Sequence, residues 1–312
     1  MSILSAAHFH NEQAAYEFVE ARVWPDGPIC SHCGSYERIS KMQGKSTRIG
    51  TYKCYACRKP FTVKIGTVFE ASHIPLHKWL QAMFLICASK KGISSNQLHR
   101  TLGVTLKTAW FMSHRIREAM RDGNPTLMGG EGKVIEADET VIGGKEKNKR
   151  LSRRNPKNIG AVGKQIAFAL VERGGRVRSV HVPAANAATL RPILKAHVDQ
   201  KSFLMTDDAG QYRVIGPEFA GYASVNHGAD EYVRGDAHTN TIEGYFSILK
   251  RGITGVYHHV SQQHLRRYLA EFDFRYNERI ALGVNDEART DKALKGIVGK
   301  RLTYRTTDRQ VN

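Results

Sequence analysis

Acidic residues are in short supply: 29 Asp and Glu stand against 47 Lys and Arg in 312 residues, a formal charge of +18. An excess spread along the whole chain points to a polyanionic partner, because each phosphate neutralised releases counterions. A basic but merely soluble protein is the plainer alternative. Long apolar runs are also lacking. The longest, Ala82 to Ala88, has seven residues against the roughly 20 a spanning helix needs. No long apolar amphipathic segment accompanies the charge, which disfavours an anionic membrane as the partner. The stretch MSILSAAHFHNEQ has no basic region followed by an apolar core, so no secretory signal and a reducing, cytoplasmic setting are expected. No Gly-x-Ser-x-Gly elbow occurs, and Gly160-Ala-Val-Gly163-Lys164 lacks Walker A spacing, so neither serine hydrolysis nor ATP dependence is implied.

Cysteines number five. Four fall in two knuckles, Cys30-Ser-His-Cys33 and Cys54-Tyr-Ala-Cys57, with twenty residues between them. In a reducing compartment that spacing predicts one structural zinc in a four-cysteine ribbon, the thiolates leaving no open position for water. A redox dithiol pair is the alternative. Thr47, Ile49, Thr51 and Tyr52 between the knuckles alternate as ribbon strands would. A short helix precedes the ribbon, from a cap at Asn11 to Trp24. Leu76 to Ala88 reads as a helix with a stripe of Trp79, Leu80, Met83, Phe84 and Cys87. Ser95 to Leu102, a turn at Gly103 and a second helix from Thr105 read as a helix-turn-helix joined by Leu98, Leu102, Val104, Ala109, Met112 and Ile116. The second helix carries Lys107, Thr108, His114, Arg115 and Arg117, which suits DNA; a plain helical hairpin is the alternative.

Asn124-Pro125 and Met128-Gly-Gly-Glu-Gly132 mark a linker. Beyond it, Val134 to Ile142, Gln165 to Val171 and Arg176 to Val182 read as strands, Ala187 to Val198 as a helix, Ser202 to Asp207 as a strand and Ala223 to Asn226 as a further short strand. The basic run Lys145 to Lys157 is either a solvated loop or a contact for nucleic-acid backbone. In Gly235 to Val260, a helix puts Glu243 and Lys250 on one face, roughly 10 Å apart along the axis. That is too far for an ion pair and suits a shared third partner, although a solvated surface pair fits as well. An acid inside a strand, such as Asp138, costs stability unless something neutralises it. Asp207 ends another strand, with 35 residues between it and Glu243. Carboxylates on two strands and a helix converge only through the fold, and oxygen-only ligands favour Mg²⁺ or Mn²⁺ over zinc. Ser261 to Arg279 closes this region as a helix with Leu265, Tyr268, Leu269, Phe272 and Tyr276 on one face.

The order Asp138, Asp207, Glu243 and Lys250 resembles the DDE transposases and retroviral-type integrases. More narrowly, Asp138-Glu-Thr with Gly143-Gly-Lys145, Thr206-Asp207, His238-Thr-Asn240 with Glu243, Lys250-Arg251, Tyr257-His258 and Arg275-Tyr-Asn277 resembles insertion-sequence transposases of the ISXO-like group, over about residues 25 to 280. Some relatives carry Asn or His at the third acidic position. Glu243 is assigned here because it alone gives the seven-residue step to Lys250, and Asn240 stays a second candidate. The resemblance implies an α/β RNase H-like catalytic domain with a mixed sheet, preceded by the ribbon and the helix-turn-helix. The expected domains are 1–66 for the N-terminal helix and ribbon, 67–128 for the helical DNA-binding part, 129–287 for the catalytic domain and 288–312 for a basic tail. It further implies two Mg²⁺ or Mn²⁺ ions on Asp138, Asp207 and Glu243, with Lys250 at the phosphate. Lys107, Thr108, Arg115, Asn240, Lys250 and Arg251 would contact nucleic acid. The partners would be terminal inverted repeats and target DNA, with a homo-oligomer on the DNA ends, in a bacterial cytoplasm at the nucleoid. A regulator without catalysis and a nuclease that cuts without joining are the alternatives.

Overall fold

The structure, a computed structural model, describes residues 3–123, 125–144, 146–157, 162–225 and 238–303. Asn124, Lys145, Gly160, Asn226, Gly235 and the end of the chain beyond 303, all within stretches singled out above, lie outside the described residues. In chain order the helices are α1 (Glu12–Val23), α2 (Leu76–Ala88), α3 (Ser95–Leu102), α4 (Leu106–Met120), α5 (Ala187–His197), α6 (Gly210–Ile215), α7 (Asn240–Gly252), α8 (Gln262–Asn277) and α9 (Asp286–Lys295). The strands are β1 (Ile39–Lys41), β2 (Tyr52–Cys54), β3 (Pro60–Phe61), β4 (Val134–Ile142), β5 (Gln165–Glu172), β6 (Val177–Val182), β7 (Phe203–Asp207) and β8 (Gly221–Val225). They form two compact units, Met1–Arg121 with Glu278–Asn312, and Asp122–Asn277.

The first unit joins the ribbon to a helical cluster. Asn11 caps α1 by accepting from the Ala14 amide at 2.9 Å, and Ser94 and Thr105 cap α3 and α4 in the same way. Gly103 closes α3 in the left-handed region at φ 61°, where glycine carries no Cβ penalty. Leu98, Leu102, Ala109, Met112 and Ile116 are buried as their spacing requires. The ribbon is the antiparallel sheet β1-β2-β3. Its strands are shorter than the alternation suggested: Thr47 to Gly50 is bend and turn. Gly50 sits at φ +69°, and a Cβ there would fall 2.1 Å from the Tyr16 ring.

The stretch expected to be a basic tail from 288 instead holds most of α9, which packs on α2, α1 and α4. Val298 bridges Thr67, and the Lys300 ammonium donates to the Ala119 and Arg121 carbonyls at the end of α4. Weak periodicity concealed this helix because two of its four buried residues are polar, Arg289 and Thr290 beside Ala293 and Leu294. The Arg289 guanidinium is satisfied by the carbonyls of Cys87, Val284 and Glu278. The compact units therefore divide at 121/122 and 277/278 rather than at 66, 128 and 287, with ribbon and helices in one body.

The second unit is a five-stranded sheet in the order β6-β5-β4-β7-β8. β4 runs antiparallel to β5 and parallel to β7, β5 is antiparallel to β6, and β7 is parallel to β8. Side chains alternate across the sheet. One face carries Ile142, Ala167, Ala169 and Val171 against α7 and α8; the other carries Ile135, Ala137, Phe168, Leu170 and Leu204 against α5 and α6. α6 has no counterpart in the sequence reading, being six residues long with only Tyr212 and Ile215 buried.

Candidate active site

The alternation that builds the core also sorts the acids. Ile135 and Ala137 face α5 and α6, so Glu136 and Asp138 face α7, and Glu139 turns to the other side. There it accepts from Gln211 Nε2 at 2.9 Å and from the Tyr212 hydroxyl. On β7, Leu204 belongs to the α5/α6 side, which puts Met205 and Asp207 on the side of α7. The parallel register pairs Glu136 with Met205. Carried two residues further, it sets Asp138 abreast of Asp207.

Electrostatics agree with this placement. Burial pushes the Asp138 carboxyl up to about 8, and the charges of Asp207, Glu139 and Glu243 add to the rise, while the Glu139 amide, donating to Asp138 Oδ1 at 2.7 Å, opposes it. Burial also raises Glu139, with the Asp207 charge contributing. Asp208, by contrast, is bridged by Arg213 at 2.6 Å and bonded by the Ser224 hydroxyl at 3.5 Å. The geometry thus gathers Asp138 and Asp207 and turns Asp208 to a different set of partners.

Between β4 and α7 lies a cleft of about 350 Å³ lined by Asp138, Glu139, Thr140, Glu243, Phe246, Ser247 and Lys250. Glu243 and Lys250 are exposed on the helix face that borders it, as a seven-residue step requires. Asn240, exposed in the first turn of α7, is not among the residues lining the cleft. Arg251 is exposed and donates back to the Ser247 carbonyl at 3.1 Å. The donor set fits a divalent cation: its atoms are carboxylate oxygens, and a cation would offset both the burial and the mutual repulsion that raise Asp138.

Two residues that sequence reasoning passed over hold this cleft together. Glu136 is fully buried and pairs with Arg173 Nε at 2.7 Å. It also accepts from the Thr241 hydroxyl and the Ile242 amide, both at 2.9 Å, which anchors the first turn of α7 to β4. Arg173 donates in addition to the His238 carbonyl at 2.8 Å. The available signal was the two-residue step from Glu136 to Asp138, which places both on one face of a strand.

The ribbon shows a second donor set. The sulfurs of Cys30, Cys33, Cys54 and Cys57 lie within 4.8 Å of one another, with Cys30 to Cys57 at 3.7 Å and Cys33 to Cys54 at 3.8 Å. A tetrahedron with Zn–S bonds of about 2.3 Å has edges of about 3.8 Å. A disulfide would be far shorter. Backbone amides, that of Cys57 first, lower the Cys54 thiol to about 7, the direction a thiolate ligand needs.

Residues 127–277 match the ISXO2-like transposase domain, and residues 10–60 match the transposase zinc-ribbon domain. The chain carries an ISXO2-like transposase domain behind a transposase zinc-ribbon domain. A relative of this transposase, an uncharacterized protein in transposable element ISH50 of Halobacterium salinarum, is 29% identical over 279 residues, spanning 86% of this chain and 91% of its own. Among solved structures, a chain of a pre-cleavage Mos1 transpososome aligns with a TM-score of 0.27 at 12% identity, over 69% of this chain and 73% of that one. A chain of a simian T-cell lymphotropic virus intasome in complex with PP2A regulatory subunit B56 gamma has the same TM-score and identity, over 56% of this chain and 63% of that one.

Several motif residues of the transposase turn out to serve its framework. Arg115 is 6% exposed and donates to the carbonyls of Val68, Glu70 and Leu302, which removes it from the nucleic-acid contacts expected above. His114 and Arg117 on the same helix are buried as well, so the basic character of α4 is largely internal. Lys107 stays exposed, and Thr108 bonds to its cap Thr105. Tyr257 and Arg275 both bond to the buried Glu271, and Asn277 brackets Val177 with bonds to its amide and carbonyl. No described helix is long and apolar enough to cross a membrane.

Proposed function

We propose that this transposase-family protein binds the terminal inverted repeats of an insertion sequence, hydrolyses a phosphodiester to free a 3′ hydroxyl, and joins that hydroxyl to target DNA. The reading is carried by one observation: Asp138, Glu243 and Lys250 line one cleft, with the Asp207 charge felt at Asp138, inside the segment that matches the transposase domain. The strand order β6-β5-β4-β7-β8 supports an RNase H-like catalytic unit. Asp138, Asp207 and Glu243 would hold two Mg²⁺ or Mn²⁺ ions, which supply activation of the attacking oxygen and stabilisation of the leaving one. Lys250 orients the phosphate by its charge, and Glu139 stays on Tyr212 and Gln211. The ribbon, with its zinc, and the α3–α4 pair recognise the end sequence through Lys107 and Thr108. Asn240 and Arg251 flank the cut, and two copies bring two ends together.

The test is incubation of the protein with end DNA, target DNA and Mg²⁺. Joined products are expected. Cleavage without joining would indicate a nuclease, and binding without cleavage a regulator. Glu243→Gln keeps size and removes the charge a metal needs, so it should abolish cleavage while gel-shift binding survives. Lys250→Ala should lower the rate and weaken DNA engagement. Wild-type cleavage in both variants would remove α7 from the active site.

A further inference from the structure

A second cleft of the catalytic-type unit, about 710 Å³, lies where both walls of the carboxylate cleft run on. β4 gives Asp138 and Thr140 to the first and Ile142 to the second; α7 gives Lys250 to the first and leads directly to Ile253 and Thr254 in the second. Four residues of strand separate Asp138 from Ile142, roughly 13 Å at the rise of an extended chain. At about 3.4 Å of helix axis per phosphate on one strand, that is about four nucleotides.

The character of the second cleft is cationic. Lys147, Lys149, Lys164, His258 and His259 line it, and none of its described lining residues is acidic. Its shape is built into the fold: the Arg154 side chain donates to the carbonyls of Lys147 at 2.6 Å and Lys149 at 2.9 Å, pinning the turn that carries both amines. Gly143 leaves β4 at φ +149°, where a Cβ would crowd the Lys164 side chain at 3.1 Å. We infer that this cleft holds the phosphodiester backbone of the DNA strand running on from the phosphate in the carboxylate cleft, with Lys147, Lys149 and Lys164 as its contacts. The inference rests on the nucleic-acid reading of the neighbouring cleft and adds to it where the strand lies. Backbone contacts of this kind fix register without reading sequence.

The measurement is fluorescence anisotropy of full-length protein on a labelled duplex DNA of random sequence across a salt series. Changing all three lysines to Ala should make the slope of log affinity against log salt shallower by about 0.9 per lost contact, about 2.7 in all. The triple Lys→Arg variant should restore the wild-type slope. A wild-type slope in the Ala variant, while DNA is still bound, would overturn the assignment of this cleft and leave the catalytic reading standing. Failure of Arg to restore the slope would show a role other than charge and also overturn it. A slope change on duplex RNA but not on DNA would assign the cleft to RNA instead. Wild-type protein that binds no DNA would remove the nucleic-acid reading of both clefts.

Discussion

Adjacent acids with different surroundings give the sharpest test at the scale of single residues. Asp207 shares a sheet face with Asp138, whereas Asp208 sits between Arg213 and Ser224. Asp207→Asn should therefore reduce Mg²⁺-dependent cleavage to background, while Asp208→Asn loses an ion pair with an exposed arginine and should change it only a few-fold. Turnover of both variants on one end fragment checks the ranking, and the reverse order would move the ligand by one position. The same acids show what sequence can reveal. A seven-residue helical step is local, so the face shared by Glu243 and Lys250 could be read from spacing, whereas the meeting of Asp138 with them in one cleft is made by the fold and was expected only from the resemblance. Arg115 was misread because a guanidinium on a helix looks the same whether it meets solvent or carbonyls of Val68 and Glu70 far back in the chain.

Helix α7 has no side-chain cap of its own at Thr239. Glu136 of β4 replaces it, accepting from the Thr241 hydroxyl and the Ile242 amide while paired with Arg173. Glu136→Gln removes the carboxylate charge that faces Arg173, and because Arg173 is 23% exposed the loss should fall below the about 3–5 kcal/mol of a broken, fully buried pair. Thermal unfolding should move down accordingly. Added Mg²⁺ should recover cleavage less completely than in wild type, because Glu243 rides on the loosened helix. An unchanged melting temperature would show that α7 is held elsewhere. Helices α1, α3 and α4, with their capping residues, and α2, with its apolar stripe, were readable in advance, whereas α6 and the two- and three-residue ribbon strands carry too few periods for any pattern.

At the scale of the whole molecule, metal and chain topology govern stability. About one zinc per chain should be found by elemental analysis, and Cys54→Ser should loosen the first unit while Asp122–Asn277 keeps its own unfolding transition. Loss of both transitions together would show that the units fold as one. Packing in the first unit also depends on the end of the described chain: a Cβ at Gly296 would meet the Ala119 carbonyl oxygen at 2.3 Å. Gly296→Ala should lower the melting temperature of that unit by several degrees, read by calorimetry, and leave the other transition in place.

The return of α9 to the first unit sets a timetable for synthesis. Helices α1, α2 and α4 leave the ribosome early, but the helix that packs on them is encoded after all of Asp122–Asn277. At about 5–20 residues per second the N-terminal unit waits on the order of 10–30 s with the apolar surface of α2 uncovered, while the inserted unit completes its own sheet. This late-made helix thus decides when the earlier-made unit is finished, and a message cut short before Asp286 would release a sheet domain joined to a partner unable to close its core.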